Sequence, residues 1–170
     1  LTSTGIVVCP SAFNALAQEN LKKMIAYSSI SHMGFVLLGL ASLTAEGVNG
    51  AIYQMFGHGL VSAMLFLVAG VIYDRTHNRL IENFRGLSSV MPSFTLAVTI
   101  AFCGALGLPT LPGFMGEFFT IMGGFQSEIL PDWVSMLAMF GIVLSAGYFL
   151  WTLQKMFFGT FWANRNQEEN

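Results

Sequence analysis

Charged side chains are scarce in this sequence. Lys, Arg, Asp and Glu make up 9% of its 170 residues, whereas soluble domains carry about 25%, so a soluble catalytic domain is excluded. A basic excess is also missing, because the net charge is −2, and a nucleic-acid-binding surface is therefore excluded as well. Apolar residues fill the gap at 54%, which indicates an integral membrane protein.

Cysteine is equally rare. Cys9 and Cys103 form no CxxC or Cys/His set, which excludes a disulfide framework and a zinc site, so no metal site is predicted. The stretch 1–18 has no basic region and is not typical of a signal peptide. We interpret residues 1–20 as the tail of a truncated transmembrane helix and residues 21–170 as a partial membrane domain.

Long runs without Lys, Arg, Asp or Glu dominate the remainder of the chain. A run of 20 residues covers about 30 Å as a helix, which is one hydrocarbon core. Four such runs predict membrane spans at about 24–43, 50–73, 93–126 and 133–158. The His, Lys, Arg, Asp and Glu residues within them are His32, His58 and Glu117, with Lys155 near the end of the fourth run.

The third run is too long for one straight crossing, since about 35 residues would measure roughly 52 Å. Its middle holds Gly107, Pro109, Pro112 and Gly113. Because proline removes backbone donors and glycine weakens a helix, these residues predict a break near 107–113. The predicted fold is therefore an all-α, polytopic transmembrane helix bundle with one broken helix.

The charges outside the spans separate by sign. Alternate loops carry either bases or only acids, which is the pattern of the positive-inside rule, and the basic side is predicted to face the cytoplasm or its equivalent. The bases are Lys22, Lys23, Arg75, Arg79, Arg85, Lys155 and Arg165, and the acids of the opposite side are Glu46, Glu128 and Asp132.

Three ionisable residues inside the spans need an explanation, because a charge there costs at least about 2.5 kcal/mol. Measured from the neighbouring bases, His32 lies about 13 Å and His58 about 25 Å from the basic side, so we expect them about 12 Å apart in depth. The structural alternatives are a histidine bonded to a carbonyl and, for Glu117, a cap on the restarted half-helix.

Two functions of different classes fit a His/His/Glu set. One is an electron carrier with two axial histidines on a haem, and the other is a proton relay of imidazoles, a carboxylate and water. Axial ligands must share one depth, so the expected offset of His32 and His58 favours the relay. Possible accessory residues are Lys22 and Lys23, which could equally anchor the span, and Tyr27 and Ser31, which could equally bond to backbone carbonyls.

Four segments carry a more specific signal. They are LKKMIAYSSISHMGF at 21–35, QMFGHGL at 54–60, YDRTHNR at 73–79, and the stretch from Leu108 to Phe118. In order and spacing they resemble the antiporter-like subunits of respiratory complex I, and within that family the chain M (chain 4) branch. The resemblance extends from about Ala15 to Gly159.

The resemblance implies the second of two inverted five-helix repeats, each with one broken helix, in a subunit that pumps protons along a central hydrophilic axis. His32 and His58 match the axis histidines of the family. Glu117 matches its terminal acid, where the sister chains L and N usually carry lysine. Asn20 stands where the family usually has Asp, and Gly57 where it usually has Ala.

As a whole, the resemblance implies a membrane-arm subunit of a proton-translocating NADH:quinone oxidoreductase, without a cofactor of its own. Flavin, iron-sulfur clusters and quinone would belong to partner subunits. The implied partners are other membrane subunits, especially the sister antiporter-like chains, and the lipid of a bacterial inner, mitochondrial inner or thylakoid membrane. The alternatives are a subunit of a multisubunit cation/proton antiporter and a purely structural membrane-arm scaffold.

Overall fold

A computed structural model of the chain describes residues 3–159 and 162–163, with side chains from residue 8 to residue 159. The described part is helical almost throughout. In chain order its elements are α1 (Ser3–Leu16), α2 (Leu21–Ala41), α3 (Ala45–Thr76), a 3-10 turn (Ile81–Asn83), β1 (Phe84–Arg85), α4 (Leu87–Val90), α5 (Pro92–Ala105), α6 (Pro112–Gln126), α7 (Asp132–Phe157) and β2 (Trp162–Ala163).

Helices α2 and α3 form an antiparallel hairpin with a short turn at Ser42–Thr44. The Asn20 side chain accepts hydrogen bonds from the first backbone N–H groups of α2, and Thr44 does the same for α3. Both helices therefore begin three to five residues before the uncharged runs used to predict the spans. A capping side chain sets where a helix starts, and the absence of charge does not.

The predicted break is confirmed. Helix α5 ends at Ala105 and α6 restarts at Pro112, where a missing N–H costs nothing because the first turn has no internal partner for it. Between them Gly107 has φ +68°, a left-handed conformation that glycine adopts without penalty. Gly113 packs directly on the Gly104 carbonyl, where a Cβ would lie 2.5 Å from the oxygen, so the two half-helices remain in contact.

Glycines let α6 approach the first part of α3 closely. A Cβ added to Gly123 would lie 2.4 Å from the Cα of Gly47, and one added to Gly50 would lie 2.6 Å from the Thr120 nitrogen. Close backbone approach through small residues is how helices associate where there is no hydrophobic drive between them. We call this contact the α3–α6 seam.

The predicted bases gather at one end of the bundle. The Leu21 N–H donates to the Arg79 carbonyl at 3.0 Å, and Lys155 donates to Glu82 at 2.7 Å. Strand β1, which contains Arg85, pairs antiparallel with β2. Arg165 lies outside the described residues. The acids of the opposite side lie at the other end, with Glu46 in the first turn of α3 beside the Ser42–Thr44 turn.

Two apolar clusters fill the interior. One, nearer the basic end, includes Met24, Phe102 and Phe149, and the other includes Phe35 and Val134. The outer surface is also apolar, with large side chains such as Phe56, Leu67, Leu96 and Val143 about two-thirds exposed. Among the described residues, three helices are long and apolar enough to cross a membrane, namely α2, α3 and α7, whereas α5 is apolar but shorter. The chain is an integral membrane protein.

Candidate functional site

The site lies between the two apolar clusters. His32 occupies the part of α2 between Met24 and Phe35 and is only 5% exposed. Its Nδ1 atom lies 3.2 Å from Oε1 of Glu117, whose residue is 2% exposed. The approach lacks hydrogen-bond geometry, so both atoms have no hydrogen-bond partner among the described residues. A small rotation of either group would form the bond.

His58 lies beside His32, which contradicts the expected offset in depth. The two imidazole rings are 5.5 Å apart between centroids and tilted by 42°. The prediction of about 12 Å was wrong, because it took the depths of Lys23 and Arg75 to be equal. In the structure α3 has 32 residues against 21 in α2, and its last turns extend about 16 Å further.

The shared turn at Ser42–Thr44 gives the better reference point. His32 lies nine residues from Ala41, and His58 lies thirteen residues from Ala45. At 1.5 Å per residue the difference is about 6 Å, which two side chains can bridge. Depth therefore no longer excludes a shared haem, and the surroundings of the rings must separate the two functions.

A small cavity adjoins both rings. The volume open to the centre of a water molecule is about 20 Å³, which is room for one or two ordered waters. A haem would need a slot for its whole macrocycle between the two rings, whose centroids lie only 5.5 Å apart. The cavity fits water and not a porphyrin. The polar residues on its wall are Ser28, Ser29, His32, Gln54, His58 and Ser62.

Glu117 lies on α6 one turn beyond the break. The N-cap residue of α6 is Leu111, which makes no side-chain cap bond, and Oε1 of Glu117 has no hydrogen-bond partner among the described residues, so this oxygen is available to His32. A Cβ on Gly107 would lie 2.7 Å from Oε2 of Glu117. The absence of a side chain at Gly107 therefore leaves space for the Glu117 carboxylate. Glu117 also lines an open apolar groove between α6 and α7, which includes Phe118 and Ile142. It therefore stands between the inner cavity and the outer groove.

The four possible accessory residues lie apart from this set. Lys22 and Lys23 are exposed at the start of α2. Tyr27 is half-buried against the apolar cluster near the basic end. The Ser31 hydroxyl donates to the Val8 carbonyl at 3.2 Å, so it fastens α2 to α1 and does not reach the histidines.

Three residues near the set were not among the predicted site residues. Ser28 and Gln54 line the cavity, and each precedes a histidine by four residues, the spacing that places two side chains on one face of a helix. That spacing could have found them. Tyr148 is 1% exposed and lies within electrostatic range of Glu117 and next to Ser28. It comes from α7, where the small and polar residues Ser135, Ala138, Gly141, Ser145 and Thr152 recur at helical spacing on the buried face, and that spacing could have found it.

No group of three or more His, Cys, Asp or Glu side chains able to hold a metal occurs in the described part of the chain. The two cysteines are free thiols, and that of Cys9 donates to the Leu137 carbonyl at 3.3 Å. The site therefore consists of two imidazoles, one carboxylate, an amide and hydroxyl groups around a water-sized cavity.

Comparison with known proteins agrees with this arrangement. The sequence matches the family described as NADH:quinone oxidoreductase/Mrp antiporter, TM, over residues 3–145. The chain belongs to this family. Membership confirms the predicted resemblance to the antiporter-like subunits. It is also consistent with the polytopic, broken-helix bundle described above.

Relatives in the family cover the chain almost completely. NADH-quinone oxidoreductase subunit M of Rhodobacter capsulatus is 44% identical over 92% of this chain and 30% of the relative. F(420)H(2) dehydrogenase subunit M of Methanosarcina mazei is 44% identical over 92% of this chain and 31% of the relative. The structure of respiratory complex I from Thermus thermophilus with bound NADH superposes with a TM-score of 0.88 at 33% identity, over 97% of this chain and 36% of that one. The chain thus spans about a third of the length of these relatives.

Proposed function

We propose that the chain forms part of the membrane arm of a proton-translocating NADH:quinone oxidoreductase, in which His32, His58 and Glu117 relay protons. One observation carries the proposal. The Glu117 carboxylate and two imidazoles meet within 3.2 and 5.5 Å inside an apolar bundle. Ionisable groups at such depth are costly and typically mark a path for ions or protons.

The geometry suits transfer from group to group. A neutral imidazole can accept a proton on one ring nitrogen and release one from the other. His32 directs Nδ1 to Glu117 and leaves Nε2 without a partner among the described residues. A proton that arrives at Nε2 from the cavity can therefore leave from Nδ1 to the carboxylate. Glu117 can then release it on the side of the groove between α6 and α7.

The energy for transport comes from outside this chain in the proposed function. Moving one proton against 100 mV costs about 2.3 kcal/mol, and a relay of neutral groups supplies none of it. We assign the electron transfer to partner subunits that hold flavin, iron-sulfur clusters and quinone, and no cofactor to this chain. The exposed apolar faces, with Phe56 and Leu67 among the most exposed side chains, then contact lipid and other membrane subunits, including sister antiporter-like chains.

Replacement of the relay residues in the full-length, assembled enzyme tests the proposal. Glu117→Gln and His58→Met keep side-chain size but cannot exchange protons in the same way. Inverted membrane vesicles would be used to measure the protons taken up per NADH oxidised, with Glu128→Gln as a control because this acid is exposed at the end of α6. We expect a lower ratio in the first two variants and an unchanged ratio in the control.

An unchanged ratio in all variants, with normal assembly, would leave only the scaffold function. The family description also names Mrp antiporters, which favours a cation/proton antiporter as the second candidate. Transport that requires sodium, measured by replacing sodium with choline, would select that candidate. A Soret band in a reduced-minus-oxidised spectrum of the purified full-length chain would instead support the haem carrier.

A further inference from the structure

Gln54 is the most deeply buried amide near the site. It lies on α3 one turn before His58 and is 1% exposed. Its Oε1 atom has no hydrogen-bond partner in the described part of the chain. A buried acceptor without a partner is destabilising unless a ligand or an ordered water completes it. Its side chain lines the same cavity as His32 and His58.

The α3–α6 seam holds this amide in place. A Cβ added to Gly116 would lie 2.8 Å from both Cα and Cβ of Gln54, and closer still to its Oε1. Only a glycine at 116 therefore lets Gln54 lie flat against α6. Gly116 directly precedes Glu117, so the amide and the carboxylate are placed by the same turn of α6.

The cavity wall carries what one water molecule needs. Its free volume of about 20 Å³ is enough for a water, which also requires two to four polar partners. The Oε1 atom of Gln54, which lies beside Gly116 of α6, and Nε2 of His32 are both buried without partners among the described residues, and His58 lines the same cavity. The remaining titratable groups near the cavity are Glu117 on α6 and Tyr148 on α7.

We propose that Gln54 is a positioning residue of the relay, which holds a water molecule between His58 and His32. The inference rests on the proposed function. Gln54 Oε1 accepts one hydrogen of the water, and the water faces the two imidazoles with its other hydrogen and its lone pairs. When protonated His58 gives its proton to the water, the water gives one of its own to Nε2 of His32. One proton is moved, and the water and the amide are unchanged.

Variants of Gln54 in the full-length enzyme separate positioning from packing. Gln54→Met fills the same volume without a strong acceptor, and Gln54→Ala leaves room for extra water. The measured quantity is the share of proton uptake per NADH that Glu117→Gln abolishes. For Met we expect about a tenfold loss of this share, the effect of one hydrogen bond, and for Ala about threefold.

A packing role predicts the reverse order, since Ala would then be worse than Met. That order, or a Met variant equal to wild type, would overturn the assignment. Should the Met variant fail to accumulate, Gln54→Leu takes its place in the same comparison. Ser135→Ala is the matched control, because the Ser135 hydroxyl is also buried without a partner in the described residues but faces Gly124, away from the cavity. We expect its uptake to be unchanged.

Failure of this inference differs from failure of the proposed function. If Glu117→Gln and His58→Met lower the proton uptake and Gln54→Met does not, the relay stands without the amide. If Glu117→Gln and His58→Met also leave uptake unchanged, the relay itself is wrong.

Discussion

Polar residues at the basic end of the bundle and polar residues in its interior are arranged in opposite ways. At the basic end, Lys155 binds Glu82 at 2.7 Å and the Arg79 guanidinium lies 3.9 Å from the centre of the Tyr73 ring, although the Asn83 amide nitrogen there is buried without a hydrogen-bond partner among the described residues. In the interior, His32 and Glu117 keep buried atoms without a hydrogen-bond partner among the described residues. An unmade hydrogen bond is most costly in the apolar interior, and it is there that the ionisable groups His32 and Glu117 lack hydrogen bonds.

The polar groups at the basic end stabilise the fold, whereas the interior groups are held in position by it. Completed polar contacts at the end join the loops to α2 and α7, and water and salt weaken them. The interior groups contribute few hydrogen bonds that would stabilise the fold. Their geometry is fixed by the glycines of the α3–α6 seam and by the two apolar clusters. Stability and transport should therefore respond to different substitutions in the two regions.

Gly123→Ala should have the largest effect. The added Cβ would lie 2.4 Å from the Cα and N atoms of Gly47, and because these are backbone atoms of α3, the helices must separate. We expect a loss of at least about 3 kcal/mol in the stability of the chain, the upper range for overpacking. The amount of chain in membranes and in the assembled complex measures it.

Gly70→Ala is the matched control for this substitution. It lies on the same helix α3 as Gly47, and nothing lies within 4 Å of its added Cβ. In a helix interior alanine is favoured over glycine by about 0.5–1 kcal/mol, so the control should accumulate as well as the wild type. Normal assembly of Gly123→Ala would mean that the seam does not position the interior groups.

His32→Gln and Glu117→Gln should each abolish relay without loss of assembly. General acid–base groups contribute at least about 100-fold to proton transfer, so we expect each variant to slow the proton uptake assigned to this chain by that factor. Because the two groups act in one path, the double variant should be no slower than either single one. Losses that multiply in the double variant would show that His32 and Glu117 act independently.

Much of the fold could be predicted from the sequence because the membrane makes the signal strong. Uncharged runs locate the long helices, and Pro109 and Pro112 with their glycines locate the break. The relative depth of His32 and His58 could not be read from Lys23 and Arg75, since the loops that follow a helix do not fix where it ends. The short turn at Ser42–Thr44 was the reliable reference.

Only part of the candidate site could be predicted from the sequence, for a related reason. The chain's unusual ionisable residues identified His32, His58 and Glu117, and helical spacing could have added Ser28 and Gln54. Ser31 was selected instead of Ser28, although a helix turns 100° per residue, so that positions three or four apart share a face and neighbouring positions do not. The contribution of α7 depends on how that helix rotates against α2, which packing decides.

Asn20→Ala tests the basic end with a moderate effect. The side-chain oxygen Oδ1 of Asn20 accepts from the Lys22 and Lys23 N–H groups at 3.1 and 3.4 Å, and loss of such a cap costs about 1 kcal/mol. We expect a lower thermal midpoint of the detergent-solubilised complex with an unchanged ratio of protons to NADH. Asn20→Asp should restore the midpoint, because an acid also caps and favours a helix N-terminus. A changed proton ratio in Asn20→Ala would break the separation of the two regions.

Glu82→Gln should have the smallest effect, because its partner contact is exposed to solvent. The hydrogen bond and charge of Lys155 hold the pKa of the Glu82 carboxyl below its ordinary value of 4.5. A lowered pKa means that the contact contributes stability above pH 4.5 and loses it as the pH falls through the lowered value. The thermal midpoints of Glu82→Gln and wild type should therefore nearly coincide at pH 7 and converge fully in acid. A large difference at pH 7 would contradict this prediction, because it would mean that a single exposed polar contact at the basic end contributes strongly to the stability of the bundle.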